Sequence, residues 1–458
     1  MTSDSLENEN FDVLVLGTGP VEALVASELS DQGRKVLHID RAPHYGGHHT
    51  SLTVSALLDW AASTRDRRQV PCVEIHTATT TGEPVAAEQL QQTFADLIQN
   101  DRAYAIELAP RLVRCRSKAI DTLLDAGVGD YMQFCGVDRN YTLGRDQPLQ
   151  RVPESKEDVF AATWLSFVEK RKLMRLLDAL GGDDEEKLAD VGDSDKSFAE
   201  WLSERPFALS GRLLDAVVYA VARQGRHPLT AREGCDAVRR YIGAMGRYGR
   251  MAYLCALYGG GSEVAQAFCR LCAVSGGTYI LNECPAIVSS PNGEGFDVSL
   301  RNGSAHVRSI VMDPTYAPEA TASQDSNTSV ARALCILDAA PLGDDSTALL
   351  TFIADGNAAV SLLYMTHATK VVPKGQSIVY AWIEGTLVDS KSLLAEAIDA
   401  IASKSDSNVC HPLLTAYFET CELVPPIESG VVYTKVSMVD ADFDAIIDAA
   451  QKALSAIP

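Results

Sequence analysis

Apolar positions near the N-terminus come in two short bursts. Residues Phe11–Leu16, FDVLVL, form a β-rich run followed at once by the turn GTGP and a helix-compatible stretch from Val21 to about Gln32. A second burst, KVLHID, ends at Asp40, with Gly33 marking the turn before it. Strand, glycine turn, helix, strand, acid is the order of a dinucleotide-binding βαβ unit. Further β-rich segments fall at 134–150, 278–281, 309–311, 359–364 and 377–383, whereas 155–247 keeps helical spacing without a strand pattern. The expectation is an α/β fold: a mixed domain over residues 1–151 and 241–458, interrupted by a smaller all-helical domain at 152–240. The pattern also predicts a polar surface loop at Pro318–Thr328, a solvated acidic loop at GGDDEE near Gly181, and a last helix over Asp442–Leu454.

The glycine turn is damaged as a nucleotide site. In the pattern G-x-G-x-x-G, Gly17 and Gly19 hold the first two places and Glu22 the third. The third glycine allows close approach of helix and strand, and the helix N-terminus there carries the partial positive charge that attracts pyrophosphate. A carboxylate at that place adds bulk and cancels the attraction. Asp40 alone would suit a ribose contact. The unit is expected to survive as scaffold, with no cofactor.

Composition narrows the function classes. Hydrophobic residues make up 46% and charged residues 22% of 458 residues, as in an ordinary soluble protein. The net charge of −21 argues against general nucleic-acid binding, which needs an excess of Lys and Arg. Eleven cysteines in no regular framework suit a reducing compartment. The polar start MTSDSLENEN lacks the features of a signal peptide, so a cytoplasmic location is expected. No metal site is expected: His44, His48 and His49 lack acidic or thiol partners at ligand spacing and read as surface residues. The C-x-x-C of Cys269 and Cys272 lies within a helical stretch without a second pair, and reads as two buried thiols.

Three sequence regions suggest contact with a partner. After Asp40, Gly46 and Gly47 permit a sharp path that leaves Tyr45 at a loop tip, either as an exposed anchor or packed beneath its own loop. At the start of the helical segment, Ser155 and Asp158 resemble a capping box. Phe160 and Arg171, eleven residues apart, would share one face of a single helix about 16 Å apart, with Trp164 and Phe167 between them. These aromatics either enter the core or form an exposed stripe ending in a cation. Finally, the triplet Gly259–Gly261 leads into a helix from about Ser262 to Val274, on which Glu263, Gln266 and Arg270 share a face, and then into a strand at Thr278.

Taken together, VLGTGPVEALVAS, KVLHIDRAPHYGG, RVPESKEDVF, FVEKRKLMRLL, LYGGGSEVAQAFCRLCAVSGGTYILN, MDPTYAP and ARALCILD resemble the family of Rab GDP-dissociation inhibitors and Rab escort proteins. The resemblance implies a flavoprotein-like, Rossmann-type fold without flavin chemistry, and a non-catalytic protein that binds GDP-bound Rab GTPases. By motif, Tyr45, Glu263, Gln266, Arg270, Thr278 and Ile280 fall on the family's Rab-binding platform. Phe160 and Arg171 match the escort-protein pair that docks onto Rab geranylgeranyltransferase. The escort branch is therefore the expectation: the chain would present Rab for prenylation, shelter the geranylgeranyl lipid in the helical domain, and touch the membrane transiently at delivery. The dissociation-inhibitor branch and a flavin oxidoreductase are the alternatives.

Overall fold

A computed structural model describes residues 6–62, 70, 72–76, 95–145, 147–181, 196–290, 294–317, 320–323, 329–354, 358–404, 410–439 and 441–458. The first strand, β1 (Leu6–Leu16), starts earlier than its apolar run and leads through the glycine turn to α1 (Pro20–Asp31) and β2 (Val36–Asp40). Gly17 adopts φ +100°, a conformation that disfavours a side chain, and Pro20 opens α1, where its missing N–H costs nothing. Later come β3 (Phe134–Val137), α2 (Lys156–Ala161), α3 (Phe167–Leu180), β4 (Tyr253–Ala256), α4 (Gly260–Val274), β5 (Thr278–Leu281), β6 (Gly303–Met312) and α5 (Asp444–Ala456).

Two large sheets carry the architecture. The first runs β5–β2–β1–β6 in parallel and continues into the antiparallel strands Phe296–Leu300 and Ala286–Ser289, with Val431–Tyr433 also on β6. Helices α1, α4 and α5 cover one face, burying Val25, Leu29, Phe268, Cys272, Ile446 and Ala450 in one core. The other face packs Leu14, Leu37, Ile39 and Val307 into a second core. The second sheet has eight strands and is built around Ser329–Leu337, every residue of which is buried. Between α2 and the helix Ala231–Ala244 the described elements are all helical, gathered on Leu173, Leu176, Phe198 and Val238.

Three expectations need correction. The helix begun at Ser155 is two helices, because the chain turns at 162–166 and restarts at Ser166, whose side chain and that of Glu169 form a reciprocal capping box. The loop at Pro318–Thr328 includes a short strand, Thr321–Ala322, paired with Leu423–Val424. His49 is buried, not on the surface: its Nε2 accepts from Arg111 Nε at 3.1 Å, and burial holds its pKa well below the ordinary value. The acidic run after Gly181 lies outside the described residues.

Candidate functional site

The glycine turn between β1 and α1 is where a dinucleotide would seat its phosphates. Glu22 lies buried against it: a Cβ on Gly19 would meet Glu22 Oε2 at 2.4 Å, so the carboxyl fills the space over that backbone. Thr434 donates its hydroxyl to Glu22 Oε1. Burial, aided by nearby Asp313, pushes the Glu22 pKa up to about 8. The expected carboxylate charge at this place is thus opposed by burial. Near neutral pH Glu22 is largely a protonated acid, which blocks the cradle by bulk and not by cancelling the helix field.

Asp40, the residue suited to a ribose, is already engaged. One carboxylate oxygen accepts from Thr18 N at 2.7 Å and Thr18 Oγ1 at 2.6 Å; the other accepts from Ala42 N at 2.8 Å and the Tyr316 hydroxyl at 2.9 Å. A cavity of about 470 Å³ remains between this turn, the His44–Thr50 loop and Trp60. Its phosphate end is occupied by Glu22, so the residues present do not fit a flavin dinucleotide.

The old turn now braces a different surface. His38 on β2 is buried and neutral, its pKa lowered to about 4 by desolvation. Nε2 donates to Gly17 O at 2.5 Å, leaving Nδ1 to accept from the Tyr279 hydroxyl at 2.9 Å. Tyr279 lies on β5, which ends the sheet, and Tyr45 packs edge-on against it with ring centroids 6.2 Å apart. Tyr45 is half-buried against the α1–α4 core and Tyr279, so it is neither a bare loop-tip anchor nor packed beneath its own loop.

Helix α4 flanks this edge. Its first turn is pinned by Glu107, which accepts from Gly261 N at 3.1 Å. Glu263 is half-buried, and desolvation raises its pKa. Gln266 is exposed, its Nε2 donating to Ser262 Oγ at 3.0 Å. Arg270 is exposed and stacks over Tyr131, with 4.5 Å from the guanidinium carbon to the ring centroid. The structure thus groups Tyr45, Glu263, Gln266 and Arg270 on the helix side. Thr278 and Ile280 rim the same edge, but Ile280 packs into the core on the opposite face of the sheet. The surface is a sheet edge with a flanking helix, not a flat sheet face. Tyr131, Tyr279 and Thr434 were missed, because each meets its partner only through the fold.

The helical segment carries the second surface. Because the chain turns between α2 and α3, Phe160 and Arg171 are not strung along one straight helix. Lys170 Nζ donates to Phe160 O at 2.6 Å, folding the end of α2 against the first turns of α3. Phe160 is 69% exposed and Phe167 88% exposed. Trp164 is half-buried, with its Nε1 donating to Arg151 O at 3.2 Å. Of the four cations on α3, Lys170, Lys172 and Arg175 donate to the carbonyls of Phe160, Ala208 and Pro206. Arg171 is exposed and makes no hydrogen bond or ion pair among the described residues. Phe160, Phe167 and Arg171 thus all present their side chains to solvent on this segment. Cys269 and Cys272 lie in the core, and no described cluster of His, Cys, Asp and Glu could hold a metal.

A family model described as GDP dissociation inhibitor matches residues 7–70 and 85–393. The chain belongs to the GDP dissociation inhibitor family. Among its relatives, the Drosophila melanogaster Rab proteins geranylgeranyltransferase component A is 27% identical over 457 residues, covering 96% of this chain and 86% of that protein. The Saccharomyces cerevisiae Rab GDP-dissociation inhibitor is 27% identical, covering 74% of this chain and 70% of its own length. The crystal structure of a Rab GDI from Plasmodium falciparum superposes with a TM-score of 0.72 at 17% identity, covering 98% of each chain. An oxidoreductase from Methanosarcina mazei superposes at 0.59 and 11% identity, covering 97% of this chain and 100% of its own. These structural likenesses establish a shared architecture. In this member of the GDP dissociation inhibitor family, the glycine turn of the shared scaffold is filled by the Glu22 side chain.

Proposed function

We propose that this chain is an escort-type accessory protein of Rab geranylgeranyltransferase. It binds GDP-bound Rab GTPases along the β5 edge and α4, through Tyr45, Glu263, Gln266, Arg270, Thr278 and Ile280. In this division of labour, residues 1–151 and 241–458 form the Rab-binding α/β domain. The helical domain, residues 152–240, docks the transferase through Phe160 and Arg171 and shelters the geranylgeranyl chains until membrane delivery. The protein performs no bond chemistry itself; it positions one macromolecule for another and acts from the cytoplasm with transient membrane contact. No described helix is long and apolar enough to cross a membrane. Shelter is a physical necessity: each buried CH₂ is worth about 0.8 kcal/mol, so a bare isoprenoid would drive aggregation.

The observation that carries the escort reading is the exposure of both Phe160 and Arg171, on two helices whose ends are joined by the Lys170–Phe160 contact. Exposed phenylalanine and arginine side chains are residue types enriched at the cores of protein–protein interfaces. Calorimetric titration of the transferase into Phe160→Ala and wild-type protein tests it. Weakened transferase binding with intact Rab binding supports the reading; unchanged transferase affinity removes it. The dissociation-inhibitor reading draws on the names of several relatives and of the superposing Plasmodium structure. It predicts extraction of prenylated Rab from membranes without support of prenylation.

A further inference from the structure

The two strands that lead to the Arg270–Tyr131 contact each carry a thiol. Cys135 on β3 and Cys255 on β4 are directly opposed in an antiparallel pair, and their sulfurs lie 3.3 Å apart. Opposed antiparallel residues place their Cα atoms about 4.5–5.5 Å apart, inside the window of about 4.4–6.8 Å that a disulfide bridges. Closing this pair needs rotation of side chains and not a rebuilt backbone.

The chemistry of the two sulfurs differs. Cys135 is half-buried and within reach of a small reagent, while Cys255 is buried. The two sulfurs share a hydrogen bond in which either can donate, and this contact draws the Cys135 pKa below the usual thiol range while that of Cys255 rises. Thr347 Oγ1 lies 3.8 Å from the same sulfur. Elsewhere burial makes thiols inert: Cys269 is pushed up to about 12, and Cys272 is raised as well.

We propose that Cys135 and Cys255 form a peroxide-responsive modification site that closes to an intramolecular disulfide. The Cys135 thiolate attacks one oxygen of hydrogen peroxide and breaks the O–O bond; the departing hydroxide takes a proton and leaves as water, giving a sulfenic acid. The Cys255 sulfur then attacks the Cys135 sulfur, the S–O bond breaks, and the thiol proton joins the leaving hydroxide as a second water. Two thiols lose two electrons and one peroxide becomes two waters. The bridge falls at a sensitive place. Tyr131 lies just before β3, α4 follows β4 through Gly259, and Leu257 N donates to Gln133 O at 2.9 Å between them. The disulfide thus joins the two segments whose far ends hold Tyr131 and Arg270.

The test is peptide mapping of the full chain, treated with a few equivalents of hydrogen peroxide, quenched with iodoacetamide and digested without reductant. The expected product is a linked peptide pair joining Cys135 to Cys255, lighter by two hydrogens than its parts and lost on adding dithiothreitol. In Cys255→Ser the link is abolished and Cys135 is recovered as sulfenic or higher acid; in Cys135→Ser, Cys255 is recovered alkylated. Recovery of both cysteines alkylated after the exposed Cys284 is fully oxidised would overturn the proposal. So would linkage of Cys135 to another cysteine. This chemistry is independent of what the sheet edge binds, so its failure leaves the Rab reading standing.

Discussion

Replacing Glu22 by Gln isolates the effect of a buried acid in the old phosphate seat. Glutamine keeps the shape and can still accept from Thr434, but it cannot ionise. In the wild type the folded acid titrates near 8 and the unfolded acid near its ordinary 4.5. Below the lower value both states are protonated and the site is at its most favourable. As pH rises, the unfolded chain ionises first, so stability from this group declines through the window and is lost above the folded value. At roughly 1.4 kcal/mol per pH unit, the gap from 4.5 to about 8 sets a ceiling of roughly 5 kcal/mol, which relaxation and coupling to Asp313 reduce. The assay is urea unfolding of both proteins from about pH 5 to pH 9. Other raised acids, Glu154 at about 7 and Glu107, tilt both curves alike, so the informative quantity is the difference. Glu22→Gln should gain on wild type as pH rises, by at least about 1 kcal/mol. Parallel curves would refute the assignment of a protonated Glu22.

Further outcomes follow from the same geometry. Arg270→Ala removes an exposed cation and its stacking on Tyr131, and should weaken GDP-bound Rab by roughly 10-fold or more in a titration while leaving transferase binding intact. The net charge of −21 should steer basic partners, so the association rate with a basic-tailed Rab should fall as salt rises from about 50 to 200 mM in stopped flow. Ser166→Ala deletes the capping box that restarts α3 and should cost about 1 kcal/mol in unfolding experiments, with transferase binding falling as the Arg171 turn frays.

Much of the α/β unit was legible because its signals are local. The β-rich run, Gly17, the helix and Asp40 lie within one stretch of chain, and each element follows from its neighbours. The break between α2 and α3 was harder. Residues Ala162–Leu165 contain neither Gly nor Pro, and the aromatic spacing is compatible with one continuous helix. The legible clue was Ser166 followed three residues later by Glu169, a capping box inside the supposed helix. Contacts across the fold left no such trace. Thr434 reaches Glu22 from 412 residues away, and Cys135 meets Cys255 from 120 residues away. Pattern reading could nominate Tyr45 and Arg270, but it could not place Tyr279 and Tyr131 beside them.

The most direct measurement is a reconstituted prenylation reaction containing a GDP-bound Rab, Rab geranylgeranyltransferase and geranylgeranyl diphosphate, run with and without this protein. Lipid transfer to Rab is expected only when the protein is present, and to fall sharply with Phe160→Ala or Arg171→Glu. A protein that binds Rab yet leaves transfer at its background level would contradict the escort assignment.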